Sequence, residues 1–218
     1  MDKQTILSHV DHTELDPAAT WASIRQMCDD GLQYGVASVC IPPCYVEQAA
    51  GYLAGRLPVC TVVGFPHGNA TTAAKCFEAA GAVGQGADEI DMVINQGWVK
   101  DGLLEQVTAE IRAVKQAIGD CVLKVIVETC RLSEMEKVSL CRAVSAGGAD
   151  FIKTSTGFAS AGATLEDVEL FASMVDDGVL VKAAGGIRTF EQAEAMLKRG
   201  AARLGASALV RLMKEEEE

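Results

Sequence analysis

Short apolar runs recur eight times along this chain, separated by longer amphipathic or alanine-rich segments, and that alternation restricts the fold more than any other feature. Val36–Ile41, Val59–Phe65, Glu89–Ile94, Val122–Val127, Asp150–Thr154 and Val179–Ala183 read as strands, with Ser8–His12 and Ala202–Ala206 as weaker members of the set. The intervening pattern predicts helices over Pro17–Asp30, Cys44–Leu53, Thr71–Val83, Leu103–Ile118, Ser133–Ala146, Leu165–Val175, Thr189–Lys198 and Ala206–Met213. Asp16 before Pro17 is a good cap for the first of them. Strands this continuously apolar are buried on both faces, as in a parallel sheet covered by helices. A doubly wound open sheet shares the alternation, but eight units favour closure into a single (β/α)8 TIM barrel over residues 1–218. No linker or compositional break marks a second domain, and the closing KEEEE reads as a frayed, solvated helix end.

Composition sets the outer limits. At 218 residues and 49% hydrophobic content the chain can bury one sizeable core. A net charge of −11 opposes nucleic-acid binding, which needs a basic footprint. No apolar run approaches the length of a membrane span. The eight cysteines form no C-x-x-C and sit mostly in apolar runs, where a thiol behaves as a small hydrophobe. With a polar, charged opening from Met1 to His12, this reads as a reduced, cytoplasmic protein.

Charges inside apolar strands carry the functional information. Asp91, Lys124, Lys153 and Lys182 each stand in a run that is otherwise dry, near the C-terminal ends of successive strands. A lone buried ammonium is expensive unless paired or functional. The plain reading of any one of these lysines is an ion pair, or a stem reaching along apolar surface to water. The four together, at the end of a barrel where active sites lie, point to a site. Clustered positive charge lowers the proton affinity of a lysine, and the neutral amine attacks a carbonyl to form an imine. Asp91 would hold the lysines and relay protons. Spacing alone does not rank Lys153 against Lys182, since both take equivalent inward positions on neighbouring strands.

Glycine-rich turns supply the other half. Ala184-Gly185-Gly186-Ile187-Arg188-Thr189 follows the seventh strand and Leu204-Gly205-Ala206-Ser207 the eighth, each opening a helix. Lys153-Thr154-Ser155-Thr156-Gly157 adds hydroxyls and a glycine after the sixth. Glycine lets backbone approach an anion, and helix N-termini offer free N–H groups to it. One such loop is an ordinary strand-to-helix turn; three in succession suggest a phosphate site.

The motifs DHTEL, VCIPP, VGFPHG, EIDMVIN, LKVIVET, GADFIKTSTGF, KAAGGIRT and RLGAS, in that order, resemble the deoxyribose-phosphate aldolases, a family of class I aldolases, over almost the full length. The resemblance implies a Schiff-base lysine at Lys153, a proton donor or acceptor at Asp91, and a second lysine, Lys182, that perturbs the first. It places Gly157, Gly185, Gly186, Gly205 and Ser207 at the phosphate and Asp11, Thr13, Cys40, Lys124 and Thr154 around the pocket. It implies a phosphosugar substrate, no cofactor, no metal, and a homodimer or homotetramer. Two positions depart from the family pattern: Ala208 stands where a second serine is common, and the tail lacks the aromatic residue some members carry.

Other readings remain at this stage. His9, Asp11 and His12 suggest a metal, but residues three apart on a strand face opposite sides. Late glycine loops fit a transaldolase or a sugar-phosphate isomerase equally well, and a phosphate sensor without turnover would need no lysine–aspartate set.

Overall fold

The computed structural model describes residues 1–217. A short helix, α1 (Lys3–Leu7), precedes β1 (Val10–Thr13). The next units are α2 (Trp21–Tyr34), β2 (Ser38–Ile41), α3 (Val46–Leu53), β3 (Val59–Val63), α4 (Thr72–Gly84) and β4 (Glu89–Val93). Then come α5 (Gln96–Lys100), α6 (Leu104–Ile118), β5 (Val122–Ile126), α7 (Glu134–Gly147) and β6 (Phe151–Lys153). The chain closes with α8 (Leu165–Met174), β7 (Leu180–Ala184), α9 (Phe190–Lys198), β8 (Ala201–Ala206) and α10 (Ala208–Glu217). Every strand pairs in parallel with the next and β8 pairs with β1, so the expected closed eight-stranded barrel is what forms.

Local chemistry explains the helix ends. Ser133 and Glu136 form a reciprocal capping box at α7, and the hydroxyls of Thr71, Thr164 and Thr189 each accept an N–H of the first turn that follows. The first long helix begins at Trp21 instead of Pro17, because Thr20 and Ser23 make the capping box there. Asp16 instead accepts the N–H of Ala18 in a turn. Two five-residue helices, α1 and α5, were not expected; neither is long enough to show a helical period. The C-terminal segment, expected to fray, stays helical through Glu217: Lys214 pairs with Asp30 at 2.9 Å and the Tyr34 hydroxyl donates to Glu217 at 2.8 Å. Glu218, the last residue of KEEEE, lies outside the described residues.

The core has two compartments. Outward strand residues such as Val39, Ile90, Met92, Val125, Ile152 and Leu204 pack with the helices into one large apolar layer. Inside the barrel, a small patch of Cys40, Cys60 and Val62 is separate from that layer. Beside that patch the interior holds a cluster of buried charged side chains, and this is where the functional residues lie.

Candidate active site

The inward positions of β1, β4, β5, β6, β7 and β8 carry Asp11, Glu89, Asp91, Lys124, Lys153, Lys182 and Arg203, brought together by the strand register. Asp91 is the hub. Its Oδ2 accepts from Lys153 and from Lys182, each at 2.7 Å, and its Oδ1 accepts from Lys124 at 2.9 Å. Lys182 also pairs with Asp11, which accepts from Arg203 at 2.5 Å and from the Ser38 hydroxyl at 2.8 Å. Lys124 reaches down to Glu89 at 2.5 Å, and Arg203 bridges Glu89 at 3.2 Å. Four cations therefore face three carboxylates in a dry interior.

Burial alone would raise the Asp91 carboxyl, but Lys124, Lys153 and Lys182 outweigh it and hold the group far below the usual carboxylate range. Asp11 follows the same logic, with Lys182, Lys124 and Arg203 overcoming desolvation. Desolvation would lower Lys182, yet Asp11 and Asp91 reverse that and keep its ammonium firmly charged. Lys124 is likewise held charged against burial by Asp91, Cys60, Asp11 and Glu89.

Depth separates the lysines. Asp91, Lys124 and Lys182 stand mid-strand, not at strand ends as expected, while Lys153 is the last residue of β6. Lys124 and Lys182 are fully buried, and Lys153, 3% exposed, lines the floor of a cavity of about 460 Å³ at the C-terminal mouth of the barrel. Thr13, Gly157, Gly185, Gly186, Gly205 and Ser207 line the same cavity. Gly185 and Gly186 have φ of +83° and +80°, the left-handed region that a Cβ disfavours. A Cβ on Gly162 would fall 2.2 Å from the Gly185 carbonyl oxygen, so the loop after β6 crosses the turn after β7 only through glycine.

Other expected pocket residues sit elsewhere. Asp11, Cys40 and Lys124 lie beneath the cavity within the barrel, and Thr154 ties β6 to β7 by donating to the Ala184 carbonyl at 3.2 Å and accepting its N–H at 3.1 Å. The Cys40 thiol is lowered chiefly by its hydrogen bond with Cys60, whose own thiol burial pushes well up. Arg188 and Arg211 also line the cavity and were not singled out, nor were Glu89 and Arg203 below it. Glu89 precedes Asp91 by two residues and Arg203 precedes Gly205 by two, so strand alternation held the signal for both.

Cys60, Asp91, Glu89 and Asp11 bring potential metal donors close together, and Cys40 adds another. Lys124 Nζ already sits among them, 3.2 Å from Cys60 Sγ, 2.9 Å from Asp91 and 2.5 Å from Glu89, so an ammonium occupies the position a cation would take. The histidines are apart from this set: the ring of His9 bonds the Ala202 carbonyl at 2.9 Å, and His12 faces Asp30 and Lys214 outside the barrel.

Residues 2–213 match the model of the DeoC/LacD family aldolases. The chain belongs to the DeoC/LacD aldolase family. A deoxyribose-phosphate aldolase of Streptococcus pyogenes is 53% identical over 216 residues, covering 99% of this chain and 97% of that one. A Coccidioides immitis chain assigned to the deoxyribose-phosphate aldolases superposes with a TM-score of 0.95 at 40% identity, covering 100% of this chain and 88% of that one. The deoxyribose phosphate aldolase of Aeropyrum pernix, a tetramer, does so with a TM-score of 0.88 at 28% identity, covering 100% and 93%. Against this aldolase family, the cavity over a buried lysine–aspartate cluster gains a chemical context. Among the described residues, no helix is long and apolar enough to cross a membrane.

Proposed function

We propose that this chain is a class I deoxyribose-phosphate aldolase that reversibly cleaves 2-deoxy-D-ribose 5-phosphate to D-glyceraldehyde 3-phosphate and acetaldehyde through an imine on Lys153. The observation that carries this reading is Lys153 on the cavity floor, sharing one Asp91 oxygen with the buried Lys182, beneath three glycine-bearing loops. Relatives named as deoxyribose-phosphate aldolases supply the sugar.

The charge count supports Lys153 as the nucleophile. Removing one proton from four cations and three carboxylates leaves the cluster neutral, and Lys182 and Lys124 are held charged by two or more carboxylates each. Lys153 touches one carboxylate and reaches the cavity. Its neutral amine attacks C1 of the open-chain aldehyde, and loss of water gives an iminium. A base takes the C3 hydroxyl proton, the C2–C3 bond breaks, and its electrons enter the iminium as an enamine while glyceraldehyde 3-phosphate departs. Protonation at C2 and hydrolysis release acetaldehyde and restore the amine. Lys182 stays charged and exchanges protons with the nucleophile's site through Asp91. Gly157, Gly185, Gly186, Gly205 and Ser207 offer backbone N–H and hydroxyl groups to the phosphate, and Thr13 on β1, the strand paired with β8, lines the same cavity.

In this reading the chain is one catalytic unit, needs no cofactor or metal, and works in the cytoplasm as a homodimer or homotetramer. A panel of phosphorylated sugars tests it, with and without EDTA. Preferred cleavage of deoxyribose 5-phosphate, unaffected by chelator, is the expected result; preferred cleavage of fructose bisphosphate or loss of activity in EDTA overturns it.

A further inference from the structure

Directly after β5, Glu128 adopts φ 61° and ψ 66°, a left-handed conformation sparsely populated by residues with a Cβ. It aims a carboxylate, 2% exposed, back at the loop that follows β6. Oε1 accepts the Thr156 N–H at 3.2 Å and Oε2 accepts the Thr156 hydroxyl at 2.5 Å. The same hydroxyl accepts the N–H of Phe158 at 3.0 Å, closing the turn around Gly157. No ion-pair partner of Glu128 occurs among the described residues. On either side of Glu128 the backbones are zipped: Val127 N–H donates to the Lys153 carbonyl at 3.0 Å and Thr129 N–H to the Thr154 carbonyl at 2.9 Å.

This loop is a wall with a cavity on each side. Thr156, Gly157 and Phe158 line the catalytic cavity, while Thr156 and Phe158 also line a polar cavity of about 280 Å³ that contains Glu128. A buried carboxylate without a counter-ion is costly to keep, and both of its oxygens are spent on one residue of the loop. We propose that Glu128 is a positioning residue for substrate: by gripping Thr156 from behind, it fixes the Gly157 backbone at the cavity wall where the phosphate end of the sugar is received.

The inference rests on the aldolase reading above, and the test separates the two. KM and kcat are measured with deoxyribose 5-phosphate and with unphosphorylated deoxyribose for the intact enzyme, Glu128→Ala, Glu128→Gln and Thr156→Val, alongside each thermal midpoint. Glu128→Ala should raise KM for the phosphorylated sugar by roughly ten- to a hundredfold, the worth of a lost charge-assisted hydrogen bond, while kcat moves by less than about threefold. The unphosphorylated sugar should lose little, Gln should restore most of the KM, and Thr156→Val should reproduce a weaker form of the defect. Equal losses for both sugars that track the drop in thermal midpoint would mean a structural role only, and an unchanged KM would also overturn the proposal. If Glu128→Ala does not fold, Thr156→Val and Glu128→Gln decide by the same criterion. Failure of the unaltered enzyme to form a reducible imine with deoxyribose 5-phosphate would remove both readings; imine formation with a normal KM in the variants removes this one alone.

Discussion

Lys75→Met and Glu110→Gln break the same buried ion pair, yet their costs should move in opposite directions with pH. Lys75 on α4 and Glu110 on α6 are both buried, with Nζ 2.9 Å from Oε2. The ammonium also donates to the Val93 carbonyl at 2.8 Å, and the carboxylate accepts the Asn95 N–H at 3.3 Å, so the pair pins the end of β4, two residues beyond Asp91. Burial pushes Lys75 down and Glu110 up despite their mutual attraction, so loss of water outweighs pairing for both. In Lys75→Met the stranded Glu110 escapes by taking up a proton. At pH 7, against an ordinary value of 4.5, this costs about 3 kcal/mol. In Glu110→Gln the stranded Lys75 must give up a proton, which against 10.5 costs about 5 kcal/mol. For a chain of this length these losses correspond to melting shifts of roughly 6–12 °C and 10–20 °C. The sign follows from linkage: Glu110 alone is raised above its unfolded value, so Lys75→Met recovers stability as pH falls toward 4.5. Lys75 alone is depressed, so Glu110→Gln recovers as pH rises toward 10.5, each by about 1.4 kcal/mol per pH unit. Urea unfolding at about pH 5.5, 7 and 9 reads both slopes. Equal, pH-independent losses in the two variants would refute the reasoning.

Burial pushes His12 down to about 4 against a smaller opposing pull from Asp30. The unfolded chain therefore gains a proton below pH 6.5 that the fold refuses, and stability should fall by up to about 3 kcal/mol between 6.5 and 4. Comparing acid unfolding of His12→Asn with the parent should show that part of the slope missing; identical slopes would contradict it. Lys182→Leu removes the ammonium that shares an Asp91 oxygen with Lys153, so imine formation at neutral pH should drop by about tenfold or more. Borohydride trapping at neutral pH reads this loss; trapping equal to that of the parent would count against a role for Lys182 beside the nucleophile.

How much of this was legible in the sequence depended on burial. The parallel strands are dry on both faces, so Val59–Val63 and Val122–Ile126 announce themselves as apolar runs interrupted only by Thr61 and Lys124. Strands β1 and β8 read weakly because His12 and Arg203 interrupt them, one facing α2 and the other inward to Asp11 and Glu89. Three lysines and an aspartate stood out against apolar neighbours, but their order of depth did not, since Lys153 and Lys182 occupy equivalent phases of adjacent strands. The register decides it: they pair side by side, yet β6 ends at Lys153 while β7 continues two residues past Lys182. Glu128 was invisible because its role depends on a backbone angle, and Arg211 because its place at the cavity depends on where α10 starts.

The central claim is that the covalent bond to substrate forms on Lys153. Incubation with deoxyribose 5-phosphate, reduction with borohydride and peptide mass spectrometry tests it directly. The account predicts one reduced adduct on Lys153, and none in Lys153→Leu; an adduct on Lys182 or Lys124, or trapping that survives Lys153→Leu, would contradict it.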